Sequence, residues 1–171
     1  TAVNHLNEES DSSPIEIGQI EAVGPGQNLV TNGHFQSLEN WNFVAHPDAH
    51  GSAEITQAGE CMISTVSAGT EFDHIRLYQD SIPVIQDKTY TLRFDVYADQ
   101  TRAIEVKLQK ASSPHTNYSR FGYISVNTQK KSIRLTFTMQ SSTDTSAQLV
   151  FGCGRFIGEL FLDNVSLSYE D

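Results

Sequence analysis

The sequence predicts an all-β domain, a two-sheet antiparallel β-sandwich of the jelly-roll kind. Three observations lead there. Apolar and polar residues alternate with period two in several long runs, the pattern of a strand with one face on a core and one in water. No stretch of ten residues carries helical spacing. The runs are short and numerous, and Gly, Pro, Ser and Asn separate them, as in a sandwich rather than in alternating βα units.

Residues 1–27 stand apart. Asn7-Glu8-Glu9-Ser10-Asp11-Ser12-Ser13-Pro14 is polar and acidic, and Gly24-Pro25-Gly26 punctuates the end. This is the composition of a linker or N-terminal extension. Within it only Ile15-Glu16-Ile17 alternates in a way that would add a strand. Residues 28–171 form the module itself.

The clearest strands come late. In Tyr90-Thr91-Leu92-Arg93-Phe94-Asp95-Val96 the even positions are apolar. Ile104, Val106 and Leu108 alternate with Glu105, Lys107 and Gln109, and Ile133, Leu135, Phe137 and Met139 with Ser132, Arg134, Thr136 and Thr138. Weaker strands read at 52–57, 60–66, 74–79, 121–126 and 147–151. In the closing run Leu160 and Leu162 are apolar at even positions, whereas Val165, Leu167 and Tyr169 are apolar at odd ones. A strand with one buried face can change parity only through a bulge or bend, here at Asp163-Asn164. Such a bend frees backbone carbonyls beside a carboxylate, an oxygen set suited to calcium.

Composition narrows the function. The 171 residues include 21 Asp and Glu against 11 Lys and Arg, a formal net charge of −10. An acidic surface excludes nucleic acid and anionic membrane as expected partners, since both require a basic footprint. No apolar run approaches the roughly 18 residues of a membrane-spanning helix. The chain begins at Thr1, and we expect a mature or excised fragment. Cys61 and Cys153 lie far apart in sequence, and both a disulfide and two buried thiols remain open. No zinc spacing, nucleophile elbow, metalloprotease helix or phosphate loop is present in the sequence. His46-Pro47-Asp48-Ala49-His50 gathers imidazoles and a carboxylate, but its proline makes it a loop.

The opening segment Asn28-Leu29-Val30-Thr31-Asn32-Gly33-His34-Phe35-Gln36, with Trp41 beyond it, and the closing segment Leu160-Phe161-Leu162-Asp163-Asn164-Val165-Ser166-Leu167 bracket this strand-rich region. Together they resemble the edges of the family 4/9/22 group of carbohydrate-binding modules, over roughly residues 28 to 169. These are noncatalytic β-sandwiches attached to polysaccharide-degrading enzymes. The resemblance implies one structural calcium where the two segments meet, held by Asp163, the backbone carbonyl of His34 and the side chain of Gln36. The family usually has Glu at that last position, so the amide of Gln36 removes a negative charge and should weaken the site.

The resemblance also implies a polysaccharide groove on one sheet face. Alignment through Thr89-Tyr90-Thr91-Leu92-Arg93 places Tyr78, Asp80 and Glu105 on it, with His115, Tyr118 and Tyr123 in or after a bordering loop. Alternation alone puts Arg76, Tyr78, Lys107, Gln109, Gln148 and Val150 outward. An aromatic face packs the C–H face of a sugar, and planar polar groups bond its hydroxyls. In the family the position of Trp41 is usually structural; Phe43 and Phe72 read either way.

We therefore expect a secreted, extracellular, monomeric and noncatalytic module that binds polysaccharide and is covalently linked to a glycoside hydrolase or lyase. A neutral β-glucan or xylan is favoured, because an acidic protein repels a polyanion. If Arg76, Lys107, Lys110 and Arg120 form a basic patch, an acidic polysaccharide such as alginate or pectin takes its place. Two other classes remain open. A small jelly-roll lyase or hydrolase would bring carboxylates, His or Tyr together in one cleft, and a protein-binding adhesion module would expose an apolar patch.

Overall fold

A computed structural model of the protein describes residues 23–171. The Ile15–Ile17 alternation lies outside the described residues. Ten strands follow in order: β1 Asn42–Ala45, β2 His50–Ile55, β3 Cys61–Ser67, β4 Ile75–Val84, β5 Thr89–Ala98, β6 Arg102–Gln109, β7 Tyr123–Val126, β8 Lys131–Thr138, β9 Asp144–Gly152 and β10 Gly158–Tyr169. The one helical element among the described residues is a 3-10 turn, Phe72–His74. Every strand expected from alternation is present within a few residues. Only β1 carries no readable alternation, because Asn42-Phe43-Val44-Ala45 is a short edge strand exposed at both ends.

The strands form two five-stranded sheets, β1-β4-β9-β6-β7 and β2-β3-β10-β5-β8, and all named pairings are antiparallel. Inward-facing Leu77, Ile104, Val106, Leu108, Leu149 and Phe151 of the first sheet meet Leu92, Phe94, Val96, Leu160, Leu162 and Leu167 of the second. Phe94 and Phe151 join the layers edge to face, with ring centroids 5.2 Å apart. Burying each such side chain stabilises the fold by about 1.5–3 kcal/mol.

The parity change in β10 is a bulge. Asp163 pairs with Asp95 and Ser166 with Arg93, so three steps along β10 match two along β5. Asn164 takes the left-handed conformation there, φ 51°, which Asn tolerates better than most residues. The opening segment packs onto this bulge. Gly26 and Leu29 donate their backbone N–H groups to Tyr169 and Leu167, and Val165 donates to the carbonyl of Gly33 at 3.0 Å. Asn28 Oδ1 accepts from the amides of Val30 and Leu167. Asn32 Nδ2 donates to the carbonyls of Ser37 and Glu39, while its own carbonyl accepts the Trp41 indole N–H at 3.0 Å. Trp41 is buried against Phe35 and Phe151, in the structural position expected. The opening motif is thus a clamp that closes the sandwich.

Candidate functional site

The outer face of the first sheet holds the groove. Register fixes which side chains share it: Tyr78 pairs with Asn42 and Val150, Lys107 with Val150, Gln109 with Gln148, and Glu105 with Gly152 and Tyr123. Their neighbours Ile75, Leu77, Ile104, Val106 and Leu108 are fully buried on the other side, so the reading of 74–79 was in register. The groove encloses about 330 Å³ and crosses β4, β9 and β6. Arg76, Tyr78, Lys107, Gln148 and His115 of the expected set line it. Val150 forms its floor and is only 1% exposed, covered by the longer polar side chains around it.

Its polar groups are held in place. Arg76 donates to the carbonyl of Asp73 at 3.0 Å, and its guanidinium carbon lies 5.8 Å from the centre of the Tyr78 ring. Lys107 pairs with Glu105 at 3.0 Å, both largely covered. Gln109 Nε2 donates to Gln148 Oε1, and Gln148 Nε2 donates to Asp80 Oδ1. Asp80 and Glu105 thus join the site through Gln148 and Lys107 rather than by lining the groove.

Tyr118 lies elsewhere. Its ring packs against the core, and its hydroxyl donates to Asp144 Oδ2 at 2.8 Å in an adjoining pocket of about 540 Å³. Burial, then that hydrogen bond, push the Tyr118 phenol up to about 12. That pocket is lined by Lys110 and the Ser- and Thr-rich 141–146 loop, and it meets the groove at Ala111. Of the four expected basic residues, Arg76 and Lys107 line the groove; Lys110 lines the adjoining pocket, and Arg120 lines neither.

Two lining residues were not in the expected set. Asp73 and Ala111 come from turns, whose outward side chains follow no period. Gln109 lines the groove as the outward alternation of β6 predicts, although it is buried. Beside the groove, Tyr123 is 66% exposed and stacks on Phe72 at 4.7 Å, with Phe156 6.3 Å from Phe72 and the Arg155 guanidinium 5.3 Å above that ring. Gly152 admits this arrangement, since a Cβ there would lie 3.0 Å from the Phe72 carbonyl oxygen. The platform depends on a 3-10 turn folding over β9, which no alternation reveals.

The oxygen set expected for calcium is only partly drawn together. His34 Nδ1 donates to Asn164 Oδ1 at 2.8 Å, which brings the opening loop to the bulge. Asp163 Oδ1 accepts the Asn164 amide N–H, and the Gln36 side chain is exposed. Among the described residues no three His, Cys, Asp or Glu side chains converge as a metal site. The donors on hand are one carboxylate, one amide and backbone carbonyls, a set of low charge that fits calcium weakly.

Comparisons with known proteins bear on the family and the fold. A family model described as "Carbohydrate binding domain", covering families 4 and 9, matches residues 27–155. A cellulose 1,4-beta-cellobiosidase of Acetivibrio thermocellus is 27% identical over 116 residues, 61% of this chain; those residues are 13% of that enzyme's length. A solved CBM4 module superposes with a TM-score of 0.74 at 25% identity, covering 82% of this chain and 99% of that one. The second N-terminal cellulose-binding domain of Cellulomonas fimi beta-1,4-glucanase C gives a TM-score of 0.68 at 15% identity over 86% of this chain and 99% of that one, a likeness of fold. The CBM22-1 xylan-binding domain of Paenibacillus barcinonensis Xyn10C does the same at 0.61 and 10%, over 86% and 97%. With the matched residues running from the opening clamp through the end of β9, the chain belongs to the carbohydrate-binding domain family of modules 4 and 9.

Proposed function

We propose that this chain is a noncatalytic module that holds a β-glucan or xylan chain in the groove of its first sheet and targets an attached glycoside hydrolase or lyase to it. The observation that carries the reading is the set Tyr78, Arg76, Gln109 and Gln148 lining one groove. An aromatic face and planar amides suit a neutral sugar chain. Glu105 is neutralised by Lys107 and Asp80 is bonded to Gln148, an arrangement that favours holding a ligand over acid–base chemistry. A linked catalytic domain gains from such a module through raised effective concentration, and the cellobiosidase likeness supports that arrangement. The reading places the module outside the cell, where such polysaccharides are met.

Calcium enters the same reading as a weak structural ion at the bulge. Its support is the junction of the opening loop and β10, where the register shift after Asp163 interrupts the backbone pairing. Asp163, the carbonyl of His34 and Gln36 would hold it, and its chemistry there would be cross-linking of the two chain ends.

Affinity electrophoresis through gels containing β-glucan, xylan, alginate or pectin tests the ligand. Retardation by β-glucan or xylan is expected. Retardation by the acidic polymers alone overturns the neutral-glycan reading, and release of reducing ends or unsaturated products overturns the noncatalytic one.

A further inference from the structure

We propose that the outer face of the second sheet carries a separate binding site for a sugar acid, centred on Arg93 and Arg134. It lies on the sheet opposite the groove and stands independently of the groove's function. The register of β5 against β8 sets Arg93 directly across from Arg134, and both are exposed. Like charges at such positions repel and destabilise the sheet. Neither guanidinium takes part in an ion pair among the described residues, although acidic residues outnumber basic ones 21 to 11 in the chain.

Both arginines line a cavity of about 430 Å³, together with Asn28, Asp95, Asn164 and Ser166. Asn28 has its Oδ1 engaged by two backbone amides, which leaves Nδ2 as its spare donor. Asp95 lies two residues from Arg93 on the same face of β5. Its oxygens accept hydrogen bonds from Ser132 at 2.6 Å and Asn164 at 2.8 Å. Each carboxylate oxygen keeps a further lone pair that can accept a hydrogen bond. Phe94 contributes to the lining but is 1% exposed, so no aromatic face is offered.

This arrangement defines a ligand class. The guanidinium fork matches a carboxylate in two parallel hydrogen bonds. A phosphate or sulfate would satisfy the arginines equally but would be repelled by Asp95. A uronic acid satisfies both, with its carboxylate on the arginine pair and a ring hydroxyl donating to Asp95.

The test is a titration of the isotope-labelled protein with a galacturonate trimer in chelator-containing buffer, followed by amide chemical shifts. Saturable shifts at β5, β8 and the 164–166 stretch of β10 are expected. The variant R93Q/R134Q should bind at least tenfold more weakly, with R134Q alone, on the edge strand, as the milder companion should the double variant fold poorly. Tyr78→Ala should leave these shifts unchanged. A neutral galactose trimer and inorganic phosphate should give no saturation. Absence of saturable shifts, equal binding by the arginine variants, or saturation by phosphate at the same concentrations overturns the proposal. Loss of trimer binding in Tyr78→Ala also overturns it, because the ligand would then occupy the groove.

Discussion

Gln109 of β6 and Gln148 of β9 face each other across the groove floor, and Gln109 Nε2 donates to Gln148 Oε1 at 3.0 Å. Gln148 Nε2 passes the polarity on to Asp80 Oδ1 at 2.8 Å. The relay runs one way across three strands and starts at Gln109 Oε1, which is buried with no partner. A buried acceptor left unpaired costs about 1–3 kcal/mol. Gln148, half-buried, is the member of the relay that faces the groove.

Breaking the relay should therefore weaken binding. Gln148→Ala removes one planar amide from the groove and leaves Gln109 Nε2 and Asp80 unpaired. With a net hydrogen bond worth about 0.5–1.5 kcal/mol, affinity should fall roughly three- to tenfold. Gln109→Ala should cost a similar amount, and the double variant less than the sum, because the two share one network. Calorimetric titration with the retarding glycan checks this; strictly additive losses would mean that the amides act separately.

Tyr78→Ala probes the stacking surface. Losing one aromatic face removes apolar contact worth about 1–2 kcal/mol, or roughly a tenfold loss in affinity. The melting temperature should hardly move, since Tyr78 stands outside the core cluster that contains Leu77. Thr136→Ala on the other sheet, paired with Thr91, is the control that should bind as the parent does. Parent-like binding by Tyr78→Ala would place the sugar elsewhere, with the Tyr123–Phe72 platform as the next surface to test.

How far these features were legible in the sequence follows from what sets each side chain's direction. Arg76, Tyr78, Lys107 and Gln148 were readable because a strand's period of two points them opposite to residues such as Leu77 and Leu149, which must be buried. The bulge was readable because Leu162 and Val165 both enter the core at opposite parity. Tyr118 lines the pocket beside the groove rather than the groove itself, because its direction is set by a loop contact to Asp144 that strand alternation does not encode. The pairing of Phe72 with Tyr123 joins residues some fifty positions apart through one turn, and nothing local announces it. Arg93 and Arg134 each read as an ordinary outward residue. Only the register of β5 on β8 makes them a pair.

Gly33→Ala should destabilise the fold without touching the groove. A Cβ at position 33 would stand 1.9 Å from the backbone carbonyl oxygen of Val165, and backbone on both sides leaves no flexible group to move aside. Forcing such a clash costs about 1–3 kcal/mol. For a chain of this size that lowers the melting temperature by roughly 2–4 °C per kcal/mol. Glycan affinity at low temperature should be preserved. An unchanged melting temperature would show that the clamp of opening loop on β10 is slack.

Calcium removal is the next test. An ion that binds only the native state stabilises by mass action, about 2.7 kcal/mol at a hundred times its dissociation constant. Millimolar calcium should raise the melting temperature, excess chelator should lower it, and Asp163→Ala should abolish the difference while remaining folded. Because Gln36 supplies no charge, the effect should grow in Gln36→Glu. Identical melting with calcium and with chelator would leave the bulge as a bend alone.

The two cysteines make the pH dependence predictable. Both are free and fully buried. Burial, then the charge of Cys153, push the Cys61 thiol up to about 12. Burial pushes Cys153 up to about 11, against the opposing influence of the Arg102 charge. In the unfolded chain both thiols titrate near about 8.5. Groups raised on folding contribute stability that is fully present below the unfolded value and is lost as pH climbs through the folded one. The reduced protein should therefore lose stability between about pH 9 and pH 12. Tyr97 and Tyr118, both raised to about 12, add to that slope, so the informative quantity is the difference between the parent and Cys61→Ala/Cys153→Ala. The variant should melt lower at neutral pH, through lost packing, but decline less steeply above pH 9. A thiol reagent at pH 8 should find no reactive cysteine in the native parent and two after denaturation. Equal alkaline slopes together with ready native labelling would overturn the buried-thiol account, and no labelling even after denaturation without reductant would show that the two sulfurs had joined in a disulfide.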